Sequence, residues 1–160
     1  MSDVTVILNG YKRKNQLNEQ LDAIRNQTVN VDNVMLWYNQ PDDDEMVNYD
    51  IMSEIPTAFS NVNLGVWARF AYALNAQTKY VCVFDDDTVP GKKWIENCLE
   101  TIKTHRGLLG TVGLLYTIPM PAGPNSSYYE HYVRFGWNHN NTRVQEVDLV
   151  GHSWFFEREW

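Results

Sequence analysis

The sequence predicts an α/β fold, with a mostly parallel sheet flanked by helices and a small antiparallel part near the C-terminus. Short apolar runs alternate with helical patterns through the first two-thirds of the 160 residues, which is typical of strands joined by right-handed crossovers. Residues 80–84 are apolar on both faces, as buried parallel strands are. The length fits one domain, because domains most often have roughly 100–150 residues.

The first part of the chain contains three predicted strands and one helix. Residues 4–8 are a β-branched run that ends at an Asn-Gly turn signal. Residues 15–25 place apolar side chains at helical spacing. The polar face opposite them contains Asn18, Glu19, Gln20 and Asp22. Residues 34–38 are a second apolar run, and residues 55–59 form a shorter one after an acidic segment without periodicity.

The middle of the chain contains two predicted helices and two strands. Residues 64–75 are helical in pattern, and their apolar side contains Val66, Phe70, Ala73 and Leu74. Residues 80–84 are the buried strand described above. A Pro-Gly pair then opens a helix over residues 92–104 with a wide apolar face, and residues 108–116 form a strand interrupted by glycines.

The last part of the chain reads as antiparallel strands after a loop. Residues 119–124 are rich in proline and glycine, which favours an exposed loop or the mouth of a pocket. Residues 128–137 alternate loosely, as an antiparallel strand does, and residues 144–156 fit one or two further strands.

Charge and cysteine content narrow the possible functions. The 13 Lys and Arg residues against 20 Asp and Glu residues give a net charge of −7, which excludes non-specific nucleic-acid binding because clustered cations are missing. An acidic protein that handles an anionic substrate needs a divalent cation between the two. Cys82 and Cys98 fit free thiols in a reduced compartment. We expect a cytoplasmic protein, because no signal peptide is visible and no apolar run reaches the roughly 20 residues of a membrane span.

The most informative residues are Asp85, Asp86 and Asp87, directly after the buried strand. Ligands of open α/β sheets bind outside the carboxyl ends of the strands, and three adjacent carboxylates repel one another unless a cation lies among them. In extended backbone Asp85 and Asp87 point the same way and Asp86 points elsewhere. Carboxylates suit Mg²⁺ or Mn²⁺, which often bridge a protein to phosphates. The alternative is a solvated acidic turn.

This segment resembles the aspartate-x-aspartate motif of GT-A fold glycosyltransferases, whose Rossmann-like sheet binds nucleotide sugars. Residues 4–13 look like the first strand and nucleotide-contacting loop of the exostosin-like branch. Residues 36–39 are similar to the second strand of that branch, which ends in a base-contacting asparagine. Residues 147–158 look like a later strand near the acceptor in exostosin-like and inverting family-2-like enzymes. The resemblance covers nearly the whole chain.

The resemblance implies roles for individual residues. Asp87 would ligate Mn²⁺ or Mg²⁺, and Asp85 would contact the ribose or help to bind the ion. Arg13 would approach the diphosphate and Asn39 would contact the base. The full set of donor-binding residues that it implies is Asn9, Tyr11, Arg13, Asn39, Asn63, Arg69, Asp85 and Asp86. For Arg13 and Arg69 the alternative is a surface or helix-face cation. The donor would be a nucleoside diphosphate sugar, most simply a UDP-sugar.

The C-terminal part departs from the family pattern, because GT-A enzymes are usually longer. We expect a single GT-A-like domain over residues 1–160, with a nucleotide-binding part at 1–90 and an incomplete acceptor-side part at 91–160. Asp148 is the candidate catalytic base, and the alternative is a structural carboxylate that caps a turn. His152 could ligate the metal or contact a phosphate, although a hydrogen-bonded structural role is favoured.

The same shortness predicts an uncovered surface. We expect Trp154, Phe155 and Trp160 to form an exposed apolar patch, covered by a second copy in a homodimer, by a missing C-terminal segment or by an acceptor. The expected function is metal-dependent transfer of a sugar to a hydroxyl of a glycan or glycoconjugate. The alternatives are a non-catalytic nucleotide-sugar binding module and a nucleotidyltransferase, although the basic Gly-rich loop of the latter is absent from the sequence.

Overall fold

The computed structural model describes residues 3–40, 48–117, 131–136, 138 and 141–160. The strands within these ranges are β1 (Val4–Gly10), β2 (Asn33–Asn39), β3 (Thr57–Ser60), β4 (Tyr80–Phe84), β5 (Val112–Tyr116), β6 (Tyr132–Phe135), β7 (Leu149–Gly151) and β8 (Ser153–Glu157). The helices are α1 (Lys14–Arg25), α2 (Tyr49–Glu54), α3 (Ala68–Ala73) and α4 (Trp94–Thr101). The predicted loop at 119–124 and part of the predicted strand at 128–137 lie outside the described residues.

The larger sheet of the described residues has five strands in the order β3-β2-β1-β4-β8. β1 pairs in parallel with β2 and β4, and β2 pairs in parallel with β3. β8 runs antiparallel beside β4. The predicted mostly parallel sheet is therefore confirmed. Its parallel strands bring their carboxyl ends to one edge, which is where open α/β sheets bind ligands.

The hydrophobic core lies on both faces of this sheet. Every residue of β1 is buried, and alternate side chains of the strand belong to the two faces. On one face β1 packs with Leu17, Leu21 and Ile24 of α1, as the helical spacing predicts. On the other face Ile7 packs with Ala73 of α3. The two helices hold the strand ends in fixed positions relative to one another.

The smaller sheet of the described residues is antiparallel, in the order β6-β5-β7, which confirms the small antiparallel part. β7 belongs to this sheet, whereas β8 belongs to the larger one. Between them lies His152, whose φ of 66° is in the left-handed region that residues other than glycine rarely adopt. A single residue thus carries the chain from one sheet to the other.

The helix predicted at 64–75 is wrong in its first half and in its apolar face. Helix α3 begins at Ala68, and Val66 and Leu74 are 54% and 75% exposed. The residues before the helix form a loop, because the Asn39 side-chain oxygen accepts a hydrogen bond from the Leu64 N–H. Helix α2, in the segment without periodicity, was not predicted.

The expected apolar patch at the C-terminus is wrong for Phe155. Its side chain is fully buried and packs on the rings of Tyr80 and Trp94, at centroid distances of 5.4 and 6.3 Å. Trp154 is half-buried against Phe70. Trp160 is 54% exposed. β8 is covered because helix α4 lies over the β4–β8 pair, so the patch is reduced to Trp160 and its surroundings.

None of the helices among the described residues is long and apolar enough to cross a membrane.

Candidate functional site

A tight turn over residues 85–88 follows β4 at the carboxyl edge of the larger sheet. The Thr88 N–H donates a hydrogen bond to the Asp85 carbonyl oxygen at 3.1 Å, and the Asp85 N–H donates to the His152 carbonyl oxygen at 3.2 Å. The expectation of extended backbone through the acidic triplet is therefore wrong. The turn itself separates the side chains of the triplet.

Asp85, Asp87 and His152 come together at this turn. Each offers one ligand atom, and the three atoms lie within 4.8 Å of one another. Asp85 and His152 are half-buried and Asp87 is exposed, so an ion among them would face the solvent-accessible edge of the sheet. Two carboxylates and one imidazole are a donor set that suits a divalent cation such as Mn²⁺.

The backbone at His152 explains how it reaches the acidic turn. Its left-handed φ lies between β7 and β8, and its carbonyl oxygen is bonded to Asp85. Unusual backbone conformations of this kind concentrate at functional sites. The sequence left three roles open for His152, namely a metal ligand, a phosphate contact and a hydrogen-bonded structural residue, and its place beside Asp85 and Asp87 is compatible with the first. No local pattern in the sequence marks the change of sheet, which is why the structural role was favoured.

Arg69 is a buried partner of Asp85 rather than a helix-face cation. It is 5% exposed and its Nη2 lies 2.5 Å from Asp85 Oδ1. Its guanidinium also lies 5.4 and 5.3 Å from the rings of Phe70 and Trp154. Burial raises the pKa of Asp85, and Arg69 opposes that rise. Burial lowers the pKa of Arg69, and the charge of Asp85 opposes that change. Each charge therefore opposes the effect of burial on the other.

Arg13 contacts the other side of the acidic turn. Its Nη1 lies 2.5 Å from Asp86 Oδ1 and 3.5 Å from Asp87 Oδ2, and its side chain is 52% exposed. Asp86 is thus paired with an arginine and lies outside the cluster of Asp85, Asp87 and His152. Because the Arg13 side chain is long and half-exposed, it can move to a ligand without disturbing the core.

The asparagines implied as nucleotide contacts follow β1, β2 and β3. Asn9 is 6% exposed near the end of β1, and its Oδ1 has no hydrogen-bond partner among the described residues. Asn39 is 3% exposed and its Oδ1 accepts hydrogen bonds from the Leu64 N–H and the Trp37 indole N–H, each at 3.1 Å. The Asn63 Oδ1 accepts from the Gly65 N–H at 2.8 Å. Asn39 and Asn63 thus shape the loop before α3.

Two further residues that the sequence resemblance implied are Tyr11 and Asp148. Tyr11 is half-buried just after β1, and the Lys12 ammonium lies 4.9 Å from its ring centroid. Asp148 is exposed beside the smaller sheet, and its Oδ2 accepts a hydrogen bond from the Tyr116 N–H at 2.8 Å. That contact is the structural role that the sequence left open for Asp148, and its role as a catalytic base stays a prediction.

A pocket of about 300 Å³ adjoins the acidic turn on the side of β5 and β8. Asp87 and His152 line it together with the rings of Phe84 and Trp94. The Trp94 indole N–H donates to Thr111 Oγ1 at 2.6 Å, and Thr111 Oγ1 lies 3.0 Å from Ser153 Oγ. No local sequence pattern indicates this pair of hydroxyls, because 42 residues separate them along the chain.

Gln20 lies in an environment that differs from the sequence prediction. It was predicted on the polar face of its helix, but it is fully buried. Its side-chain Nε2 lies 2.5 Å from the Asp85 carbonyl oxygen and 2.7 Å from the Thr88 carbonyl oxygen. A glutamine within a polar stretch carries no sign of such a partner.

Solved structures share this fold, whereas no family model and no curated protein matches the chain. TarS of S. aureus is 16% identical with a TM-score of 0.53, over 71% of this chain and 21% of that one. The mannosyltransferase PcManGT of Pyrobaculum calidifontis, in complex with GDP-Man and Mn²⁺, is 21% identical with a TM-score of 0.52, over 72% and 35%. Glucosyl-3-phosphoglycerate synthase of Mycobacterium tuberculosis, in complex with Mn²⁺, UDP and phosphoglyceric acid, is 16% identical with a TM-score of 0.50, over 71% and 42%.

These similarities concern the architecture. The chain spans between 21% and 42% of the length of these three proteins, and the identities are too low to transfer an activity. The parallel sheet, the acidic turn after β4 and the small antiparallel sheet occur together in this chain. The fold that the sequence resemblance implied is confirmed, and the protein has the GT-A fold of nucleotide-sugar glycosyltransferases.

Proposed function

We propose that this chain is a metal-dependent glycosyltransferase domain, with a nucleotide-binding part at residues 1–90 and an acceptor-side part at residues 91–160. It would transfer a sugar from a nucleoside diphosphate sugar, most simply a UDP-sugar, to a hydroxyl of a glycan or glycoconjugate. The observation that carries the proposal is the convergence of Asp85, Asp87 and His152 at the carboxyl edge of a parallel sheet. Support also comes from the structures with the same fold, because PcManGT was solved with GDP-Man and Mn²⁺.

Asp85, Asp87 and His152 would hold the divalent ion. When bound, the ion would neutralise charge on the diphosphate, which is the group that leaves in sugar transfer. Mg²⁺ strongly prefers oxygen ligands, whereas an imidazole nitrogen is acceptable to transition metals. The histidine therefore favours Mn²⁺ over Mg²⁺. Asp85 would stay ionised as a ligand because buried Arg69 lies against it.

The residues on the β1 side of the turn suit the nucleotide. Arg13 is a half-exposed cation beside Asp87, so its guanidinium can pair with a diphosphate that approaches the ion. Asn9 is buried near the end of β1 and its Oδ1 has no partner among the described residues, so it can accept a hydrogen bond from a ligand. We assign the nucleotide to this side, over residues 1–90.

The pocket on the β5 and β8 side suits a sugar ring. Its volume of about 300 Å³ is at the lower end of the range for small-molecule sites. The half-buried ring of Trp94 offers an apolar surface to the carbon face of a sugar, and the Thr111 hydroxyl lies beside it. Residues 91–160 would form this acceptor side. Asp148 stays the proposed base, although it does not line the pocket.

Binding measurements with the intact chain test this function. Calorimetric titration with UDP, GDP and their sugars, with and without Mn²⁺, should show nucleotide binding that requires Mn²⁺ and prefers uridine. Binding without Mn²⁺, or no binding at all, would contradict the proposal. Turnover is then assayed with mixed glycan acceptors.

The reaction products separate the proposed transferase from its alternatives. Release of UDP together with a glycosylated acceptor supports the transferase. Release of pyrophosphate from a nucleotide triphosphate and a sugar phosphate would instead show a nucleotidyltransferase. Binding without turnover would show a non-catalytic nucleotide-sugar binding module.

A further inference from the structure

We propose that Gln20 is a positioning residue that fixes the acidic turn and thereby sets the metal affinity of the site. This inference rests on the proposed metal-dependent function, and it assigns a part to a residue outside the metal cluster. Gln20 lies on α1, more than 60 residues before the turn in sequence. Its hydrogen bonds go to the backbone carbonyl oxygens of Asp85 and Thr88 and not to the carboxylates.

The amide of Gln20 joins both ends of the turn. Its Nε2 donates one hydrogen bond to the Asp85 carbonyl oxygen at 2.5 Å and one to the Thr88 carbonyl oxygen at 2.7 Å. Asp86 and Asp87 lie between these two points. The distance between the carbonyls is therefore fixed by a single planar amide, which holds the two hydrogens of its NH₂ group in a set geometry. The position of the Asp87 carboxylate follows from that distance.

The burial of Gln20 indicates how its side-chain amide is oriented. Gln20 is fully buried, and its Oε1 has no hydrogen-bond partner among the described residues. Turning the amide over would aim Oε1 at two carbonyl oxygens, which repel it, so the NH₂ group must face the turn. An apolar residue of the same length would avoid the desolvation of the amide. Such a residue would, however, leave the Asp85 and Thr88 carbonyl oxygens without this donor.

The turn accepts two hydrogen bonds from one side chain. An amide can donate both, and few other side chains can. A deprotonated glutamate has no donors, and a leucine or methionine has none either. A lysine would bring a charge into this fully buried position. Removing a residue that positions the metal ligands without itself binding the metal weakens metal affinity by about 10–100-fold. The reason is that the ligand atoms must lie close to their required positions.

The test compares Gln20→Met with Leu21→Ala, a neighbouring substitution on the same helix. Gln20→Met keeps the length of the side chain and removes both donors. Leu21 is 3% exposed, so its truncation leaves a cavity in the core and lowers the melting temperature without touching the turn. Mn²⁺ affinity is measured by electron paramagnetic resonance of the free ion, and the melting temperature is measured without metal.

We expect Gln20→Met to weaken Mn²⁺ binding by about 10–100-fold and to lower the melting temperature less than Leu21→Ala does. Leu21→Ala should melt at a lower temperature and bind Mn²⁺ like the wild type. Wild-type affinity in Gln20→Met would overturn the inference. So would an equal loss of Mn²⁺ affinity in both variants, because it would then follow from general destabilisation.

Hydrogen exchange separates failure of this inference from failure of the proposed function. In the metal-free protein, exchange of the Thr88 N–H should accelerate in Gln20→Met and stay unchanged in Leu21→Ala. Unchanged exchange in Gln20→Met would overturn the inference whether or not the wild type binds Mn²⁺. A wild type that does not bind Mn²⁺ overturns the proposed function. If Gln20→Met does not fold, Gln20→Glu provides the same comparison, with the same accelerated exchange expected.

Discussion

The two sheets differ in how they are stabilised. Every residue of β1 and four of the five residues of β4 are buried, and helices cover both faces of this larger sheet. In the smaller sheet only β5 has buried residues among those described, and β6 has none. The larger sheet is thus stabilised by its own core. The smaller sheet depends on its connection to the larger one, and the metal cluster lies at that connection.

His152 shows what the difference means for the site. It is the residue at which the chain leaves the smaller sheet and joins the larger one, whereas Asp85 and Asp87 follow a strand of the larger sheet. Two of the three proposed metal ligands therefore follow a buried strand, and the third depends on how the smaller sheet is positioned. Substitutions in the two sheets should separate stability from metal binding.

The largest expected effect is on the free energy of unfolding. Phe155→Ala, which empties a fully buried position, should lower it by about 3–5 kcal/mol. Val133→Ala in β6, where the side chain is 45% exposed, should change it by about 0.5 kcal/mol or less. Urea unfolding followed by fluorescence gives both values. Similar costs at the two positions would show that the smaller sheet has a core of comparable importance.

A substitution of His152, which connects the two sheets, should change Mn²⁺ affinity more than it changes the free energy of unfolding. His152→Asn keeps a residue that tolerates the left-handed backbone but removes the imidazole. Mn²⁺ affinity should fall by at least about tenfold, and Mg²⁺ affinity should fall less because Mg²⁺ prefers oxygen ligands.

His131→Asn is the matched control for that substitution. His131 is exposed and has a φ of 61°, and it is not part of the metal cluster found among the described residues. Its Mn²⁺ affinity should equal that of the wild type. Equal losses at the two histidines, or none at His152, would remove His152 from the ligand set.

Removing the Arg13 cation beside the acidic turn should have a smaller effect on ligand affinity. Arg13→Gln should bind Mn²⁺ alone a few-fold more tightly, because an exposed ion pair is worth about 0.2–1 kcal/mol and Arg13 competes for Asp87. The same variant should bind UDP in the presence of Mn²⁺ more weakly. Arg25→Gln is the control, because Arg25 is equally exposed and pairs with Glu54 instead. A parallel change of both affinities in Arg13→Gln would contradict this role.

The smallest expected effect concerns the two thiols, which lie in the core of the larger sheet. Burial raises the pKa of the Cys98 thiol to about 12 and raises the pKa of Cys82 well above that of an ordinary thiol. The native protein should therefore react with a thiol reagent only at a negligible rate, because the thiolate is the reactive form. Rapid labelling without denaturant would show that the core of the larger sheet opens easily.

The sequence predicted the features that depend on local patterns. The apolar run at 80–84 and the helical spacing of Leu17 and Leu21 are strong signals, because burial on one or both faces imposes a period on the residues themselves. The acidic triplet was recognisable because it follows such a run directly. Its place at the carboxyl edge of the sheet then follows from the topology of open α/β folds.

The remaining features depend on contacts between distant parts of the chain. Gln20 is buried because its hydrogen-bond partners lie 65 and 68 residues away. The segment before α3 forms a loop because Asn39 binds the Leu64 N–H across 25 residues. His152 reaches the acidic turn because two sheets meet at its position. Neither the hydrophobic periodicity nor the composition of the sequence indicates such long-range pairings. At these positions tertiary contacts overrode the local pattern.

The central claim is that Asp87 belongs to a metal site through which the protein binds a nucleotide. It is tested most directly by calorimetry of UDP binding, with and without Mn²⁺, for Asp87→Asn and Asp86→Asn. Asp87→Asn should lose most of the Mn²⁺-dependent affinity with little change in the melting temperature of the free protein. Asp86→Asn removes only a partner of Arg13 and should keep that dependence on Mn²⁺. Equal, metal-independent losses in both variants would contradict the claim.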